Sequence, residues 1–244
     1  MHLPTENQKL SIQVNGDAAR LFQDEWCIYR KLVDNNYLFH TDASHWLHKM
    51  LSEERTKPFR FLDIACGDAS TTITALRGTS LAEYVGIDLS LKALEIAKEN
   101  LRALKCPTEL RHEDFGLALH NWHEPVDVVW IGLSLHHFRT PVKLSIMCQV
   151  RRILGRDGLF VIYENTSPDA EEREEWMQRW DLQQPLWKAF SLDEWHAVTS
   201  HVHENDYPET ATGWLKLGRD AGFSEAHEVF AAPSNLFRMY CFRT

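Results

Sequence analysis

Acidic residues at regular places, and one run of small residues, mark where this chain could do chemistry. Leu62-Asp63-Ile64-Ala65-Cys66-Gly67-Asp68-Ala69-Ser70 sets an acid inside an apolar stretch and follows it with a turn of small residues. A tight strand-to-helix turn uses small residues where backbone must approach a bound molecule closely. Asp88 ends a second stretch, EYVGID, at the place where an open α/β sheet sets a carboxylate to accept hydrogen bonds from ribose hydroxyls. Glu113, Asp114 and Phe115 follow a third stretch, TELRH. His136 and His137 follow a fourth, and Glu164 ends a fifth; these three are the candidates for a general base. The turn lacks G-x-G-x-x-G, and Asp63 would repel a pyrophosphate, so a dinucleotide is disfavoured and a cationic nucleoside is favoured.

These groups need strands to carry them. Phe59–Ala65, Glu83–Asp88, Thr108–His112, Val126–Leu133 and Gly158–Glu164 have strand length and apolar character. Helices are expected between them. Ser90 is the expected N-cap of LKALEIAKENL, with Leu91, Leu94, Ile96, Ala97 and Leu101 facing the sheet. Thr140-Pro141 opens VKLSIMCQVRRIL, and Gly155 is expected to stop it. Asp68 is expected to cap the helix after the first turn. Strand and helix alternate, which predicts a parallel sheet with helices on both faces.

The flanks differ. Residues 1–16 are polar, and Ala18, Leu21, Phe22, Trp26, Tyr29, Leu32 and Val33 recur with helical spacing before a break at VDNNYLFH. A second helix is expected over Ala43–Leu51. Beyond the fifth strand, Ser167-Pro168 is expected to open an acidic helix. Ser191 with Glu194 has capping-box spacing, and Thr212–Ala221 is expected to be a helix stopped by Gly222. Glu225–Phe230 and Asn235–Phe242 then read as an antiparallel pair at the sheet edge.

Composition narrows the field. The 244 residues carry 26 basic and 35 acidic side chains, a net charge of −9, which argues against a dedicated nucleic-acid binder. No apolar run is long enough to span a membrane, and the start lacks a signal core, so a cytoplasmic location is expected. The five cysteines are scattered and expected to be free thiols. The closest histidine pairs, at 136–137 and 201–203, lack zinc spacing, and no metal is expected.

The ordered set of motifs resembles the class I S-adenosylmethionine-dependent methyltransferases. LDIACGDA is similar to the family's first motif, with Ala65 and Ala69 where glycines are usual. GLSLHHF resembles its fourth-strand element, and ILGRDGLFVIYE its fifth-strand motif. The resemblance implies a doubly wound, Rossmann-like, seven-stranded and mostly parallel sheet with an antiparallel terminal hairpin. It implies S-adenosylmethionine as cofactor and S-adenosylhomocysteine as product. Asp63 is implied to orient the methionine end, Asp88 the ribose, Asp114 and the Phe115 N–H the adenine, with Leu89 packing on the ring. Ala65, Gly67 and Leu133 are implied as further contacts.

Residues 1–55 are then a tail and helical cap, and 56–244 a methyltransferase domain with a helical insertion over about 165–215. In the cap, Tyr29, Arg30 or Tyr37 is expected to bind the methionine carboxylate. The insertion holds Trp176, Trp180, Trp187, Trp195 and Trp214, which could wall a flat acceptor or form a core of their own. His201, His203 and Tyr207 are possible polar anchors there. Adjacent His136 and His137 are not expected both to reach one pocket. The donor is already activated, so a base is needed only where the acceptor must lose a proton early. The expected reaction is methyl transfer to an O or N atom of a small metabolite, aromatic or not, by a monomer or homodimer. The alternatives are a methyltransferase acting on RNA or protein, and a non-catalytic cofactor binder.

Overall fold

The structure, a computed structural model, describes residues 26–244, with side chains from residue 28 on. The readings of 1–16 as a polar tail and of 17–25 as helix lie outside the described residues. The cap is two helices, α1 (Trp26–Asp34) and α2 (His40–Glu54), broken where DNNY was expected to break them. Then follow β1 (Phe59–Ile64), α3 (Ser70–Leu76), β2 (Leu81–Asp88), α4 (Leu91–Asn100), β3 (Thr108–His112), α5 (Phe115–His120), β4 (Val126–Gly132), α6 (Thr140–Ile153) and β5 (Leu154–Ser167). The insertion supplies α7 (Arg173–Asp181) and α8 (Leu192–Asn205); β6 (Glu209–Thr210), α9 (Ala211–Asp220), β7 (Glu225–Ala231) and β8 (Phe237–Arg243) complete the chain.

The sheet order is β3-β2-β1-β4-β5-β8-β7, with two-residue β6 beside β5. β1 to β5 run parallel, and β8 lies antiparallel between β5 and β7. Side chains alternate across the pleat, so each strand feeds two cores. Val128, Trp130, Leu159, Val161, Met239 and Cys241 pack under α1 to α4 and the insertion. Val129, Ile131, Phe160, Ile162, Tyr240 and Phe242 pack under α5, α6 and α9.

Several local expectations hold. Ser90 Oγ accepts from the Ala93 N–H and caps α4. Ser191 and Glu194 form a reciprocal capping box on α8. Asp68 accepts from the N–H and hydroxyl of Ser70 in the first turn of α3. Others are corrected. Leu91 lies at the solvent-facing start of α4 and is exposed, while Ala93, Leu94 and Ala97 face the core. Gly155 does not stop α6: β5 begins at Leu154 and pairs there with Val126, so the glycine is already in the strand. Ser167 remains in β5, and α7 starts later, capped by Glu172 with Glu175. No helix among the described residues is long and apolar enough to cross a membrane.

Candidate functional site

The carboxyl ends of β1 and β2 frame a cavity of about 220 Å³. Its floor is the turn after β1, where Ala65 (φ 55°), Gly67 (φ 54°) and Ala69 (φ 57°) are all left-handed. Only glycine takes that conformation without strain, so the two alanines hold it against a cost of about 1 kcal/mol each. The turn is held by β2: the Cys66 N–H donates to Ile87 O at 3.0 Å, and the Gly67 N–H to Asp88 Oδ2 at 2.8 Å. Gly86 leaves the room, since a Cβ there would sit 2.9 Å from Cys66 Sγ.

Asp63, Ala65, Gly67, Asp88, Leu89, Phe115 and Leu133 all line this cavity. Asp63 is buried, and Tyr84 donates its hydroxyl to Oδ2 at 2.7 Å. Burial raises the Asp63 pKa to about 7. Asp88 is also raised by burial, against the N–H groups of Ser90 and Gly67 that bind its two oxygens. Tyr29 covers the turn, its hydroxyl 3.8 Å from where a Gly67 Cβ would lie. Tyr163 and His40 complete the wall, and burial pushes His40 down to about 4.

Three residues expected at the cofactor lie outside the cavity lining. Asp114 is the N-cap of α5: Oδ1 accepts from the Leu117 N–H at 2.9 Å, and the residue is outside the cavity lining. Arg30 points from α1 to solvent and meets Asp34 one turn on. Tyr37 joins the cap to the insertion; its ring stacks on Trp187 at 5.0 Å and its oxygen accepts from the Ala189 N–H.

A second cavity, of about 60 Å³, shares Tyr29, Leu38, Leu133 and His137 with the first. Its polar corner is a cluster at the tips of β4 and β5. Glu164 is fully buried and faces inward, not toward either cavity. Its Oε1 accepts from the Ser134 and Leu135 N–H groups at 2.9 and 2.8 Å, and its Oε2 meets His136 Nδ1 at 2.7 Å. Burial raises its pKa to about 7. Its bonds hold the tight turn Leu135–His137, so Glu164 is a positioning residue and not a base at the pocket. That turn also brings both histidine rings to one place, with centroids 4.1 Å apart, and both line the second cavity. This corrects the expectation that only one could reach a pocket. Burial pushes His136 well down. Burial also presses on His137, but Asp206 and Glu164 outweigh it and hold that imidazole above its ordinary pKa.

Asp206 was not anticipated. Nor was Asn165, whose Nδ2 donates to Asp206 Oδ2 at 2.7 Å. The signal for both lay in FVIYENTS, where polar residues extend an apolar strand and so require buried polar partners. Of the anchors expected in the insertion, His201 lines the second cavity, while burial pushes it down to about 4. His203 is exposed beside Asp181, and Tyr207 lies between Arg139 and Arg173. Trp176, Trp180, Trp187 and Trp195 form a buried cluster with Phe237 on one side of the sheet, and Trp214 is buried on the other. They are core; of the five, Trp180 alone reaches the second cavity.

An open sheet of this order, with its crevice at the carboxyl ends and a carboxylate tipping β2, has the Rossmann-like fold. More particularly, residues 61–158 match the family described as a methyltransferase domain. No curated protein matches the chain. Among solved structures, magnesium protoporphyrin IX methyltransferase of Synechocystis, crystallised with S-adenosylmethionine, is similar at 13% identity and TM-score 0.61, over 96% of this chain and 99% of that one. A Nostoc punctiforme protein provisionally described as an O-methyltransferase is similar at 16% identity and TM-score 0.59, over 83% of this chain and 56% of that one. Mitomycin 7-O-methyltransferase is similar at 14% identity and TM-score 0.58, over 94% of this chain and 62% of that one. The chain thus spans less than two thirds of the latter two proteins, and at these identities the likeness is one of fold.

Proposed function

We propose that the protein transfers a methyl group from S-adenosylmethionine to an O or N atom of a small, largely apolar acceptor. The observation that carries this is the pair of adjoining cavities. One is acid-lined and floored by the β1 turn; the other is walled by Ile28, Leu32, Val198 and Phe237, and His137 stands at their shared boundary. When bound, the cofactor supplies an activated methyl group on a sulfonium, which passes in line to the acceptor while the C–S electron pair returns to sulfur.

The residues fit that cofactor. Asp63 is a buried carboxylate whose raised pKa reflects the want of a cation, and an ammonium group beside it would offset the burial. Asp88 keeps acceptor capacity for ribose hydroxyls beyond its two backbone donors. Leu89 and Phe115 offer apolar surface to a purine. Tyr29 closes the crevice from the cap, so the described residues before about 55 act as a cover on the domain formed by 56–244. His137 is the side chain in reach of an acceptor proton, and the cluster behind it holds it in place.

Calorimetry with S-adenosylmethionine, S-adenosylhomocysteine and NAD tests the cofactor. Binding of the first two and not the third is expected; NAD binding, or none, overturns the reading. Release of S-adenosylhomocysteine with a panel of phenols and amines tests the transfer, and binding without turnover on any of them would favour a non-catalytic cofactor binder.

A further inference from the structure

The side chains of His136, His137 and Asp206 converge in a way that their hydrogen bonds leave unresolved. His136 Nε2 lies 3.8 Å and His137 Nδ1 3.2 Å from the same oxygen, Asp206 Oδ1, and the three atoms are all within 4.8 Å of one another. Asp206 Oδ1 and His137 Nδ1 are buried and face each other at 3.2 Å without the alignment of a well-formed hydrogen bond. Facing a carboxylate, His136 Nδ1 carries the ring proton and gives it to Glu164, so Nε2 holds a lone pair. That lone pair confronts the Asp206 oxygen, also an acceptor, at a distance too long to share a proton. Two buried acceptors set face to face repel unless a cation stands beside them; a protonated His137 is one such cation, and a metal ion held by all three groups is another.

We propose that His136 Nε2, His137 Nδ1 and Asp206 Oδ1 bind a divalent transition-metal ion of the zinc type. Bonds of about 2.0–2.2 Å in a tetrahedron put neighbouring ligand atoms about 3.3–3.6 Å apart, close to the separations seen here. Two imidazoles and one carboxylate, leaving a fourth position open, are a donor set that suits zinc and not magnesium. The supports behind the ligands are also present. Glu164 fixes the tautomer and orientation of His136, and Asn165 holds the second oxygen of Asp206, as outer carboxylates and amides do around metal-bound imidazole and carboxylate. All three ligands line the second cavity, so the open position faces the space assigned to the acceptor. An acceptor hydroxyl meeting the ion would ionise near neutral pH without a separate base. That consequence rests on the methyl-transfer reading; the binding of the ion does not.

The test uses the full chain, stripped with a chelator and titrated with Zn2+ in the absence of any nucleoside. One equivalent is expected to bind, and Co2+ in its place is expected to show the intense visible bands of a four-coordinate ion. Asp206→Asn, which preserves the side chain's shape, should lower Zn2+ affinity at least a hundredfold. Asn165→Ala should lower it about 10- to 100-fold, the range for an outer-shell partner. His203→Ala, at an exposed histidine, should change nothing. Circular dichroism of each variant establishes that it is folded. No saturable Zn2+ uptake, uptake unaffected by Asp206→Asn, or preference for Mg2+ would each overturn the proposal. S-adenosylmethionine affinity, measured separately, keeps failure here distinct from failure of the proposed function.

Discussion

The two ends of the crevice are built in opposite ways. At the β1 and β2 tips, the turn and its two carboxylates lie between Asp63 and Ser90, and backbone N–H groups hold the carboxylate of Asp88. At the β4 and β5 tips, side chains hold side chains, and Asp206 reaches back 41 residues to Asn165. The first end is local turn chemistry. The second exists only after the insertion has folded onto the sheet. A site of the first kind shows in the order of residues, whereas one of the second kind depends on packing.

Substitutions can break this contrast. The largest effect is expected at Glu164. Glu164→Ala leaves the buried N–H groups of Ser134 and Leu135 without an acceptor, and should destabilise the fold by about 2–4 kcal/mol in denaturant titration. Intact S-adenosylmethionine affinity in the folded variant would show that the two ends are energetically separate.

Next comes Asp63. Asp63→Asn should weaken cofactor binding by about 2–3 kcal/mol, the worth of a charge-assisted hydrogen bond, in calorimetry. The same change should stabilise the protein. The folded-state pKa of about 7 lies above the unfolded one, so the folded chain holds the extra proton and stability falls as pH rises toward 7. Asp63→Asn should therefore raise the melting temperature clearly at pH 8 and less at pH 5. In the wild type, cofactor affinity should fall about tenfold per unit as pH drops below about 7, where Asp63 takes up a proton that ammonium binding must displace. A flat profile from pH 5 to 8 would remove Asp63 from the site.

Asp88→Ala should cost about 1–3 kcal/mol of cofactor affinity. Smallest is Ala69→Gly, which relieves a left-handed alanine and should raise stability by about 0.5–1 kcal/mol in thermal melts. No gain there would mean that the turn is not strained.

The same contrast explains which features could be read from the residues. The strands, the capping boxes and the β1 turn are signals carried within a few residues of one another. Asp63, Gly67, Asp88 and Phe115 fell where expected because strand ends in this architecture face one crevice. Asp114 did not, because a short helix starts at Phe115 and its N-terminus takes the nearest carboxylate. Arg30 lies on the solvent face of α1, and Tyr37, in the turn beyond that helix, is taken up by Trp187 and Ala189 of the insertion. Glu164 stood at the right strand end, but the inward side of the pleat turned it away from the cavities. The tryptophans of the insertion became its core, since three large rings on two helices and a fourth in the segment joining them have little else to pack on.

The placement of β8 between β5 and β7 has a bearing on how the molecule comes into being. Seven residues, Phe237–Arg243, fill an interior slot of the sheet and supply Met239 and Cys241 to one core and Tyr240 and Phe242 to the other. On a translating ribosome, neither hydrophobic layer can close until residue 243 has emerged. Closure of this sheet therefore waits for Arg243, and the half-made sheet passes through a stage in which the β5 edge stands unpaired and open to chaperones.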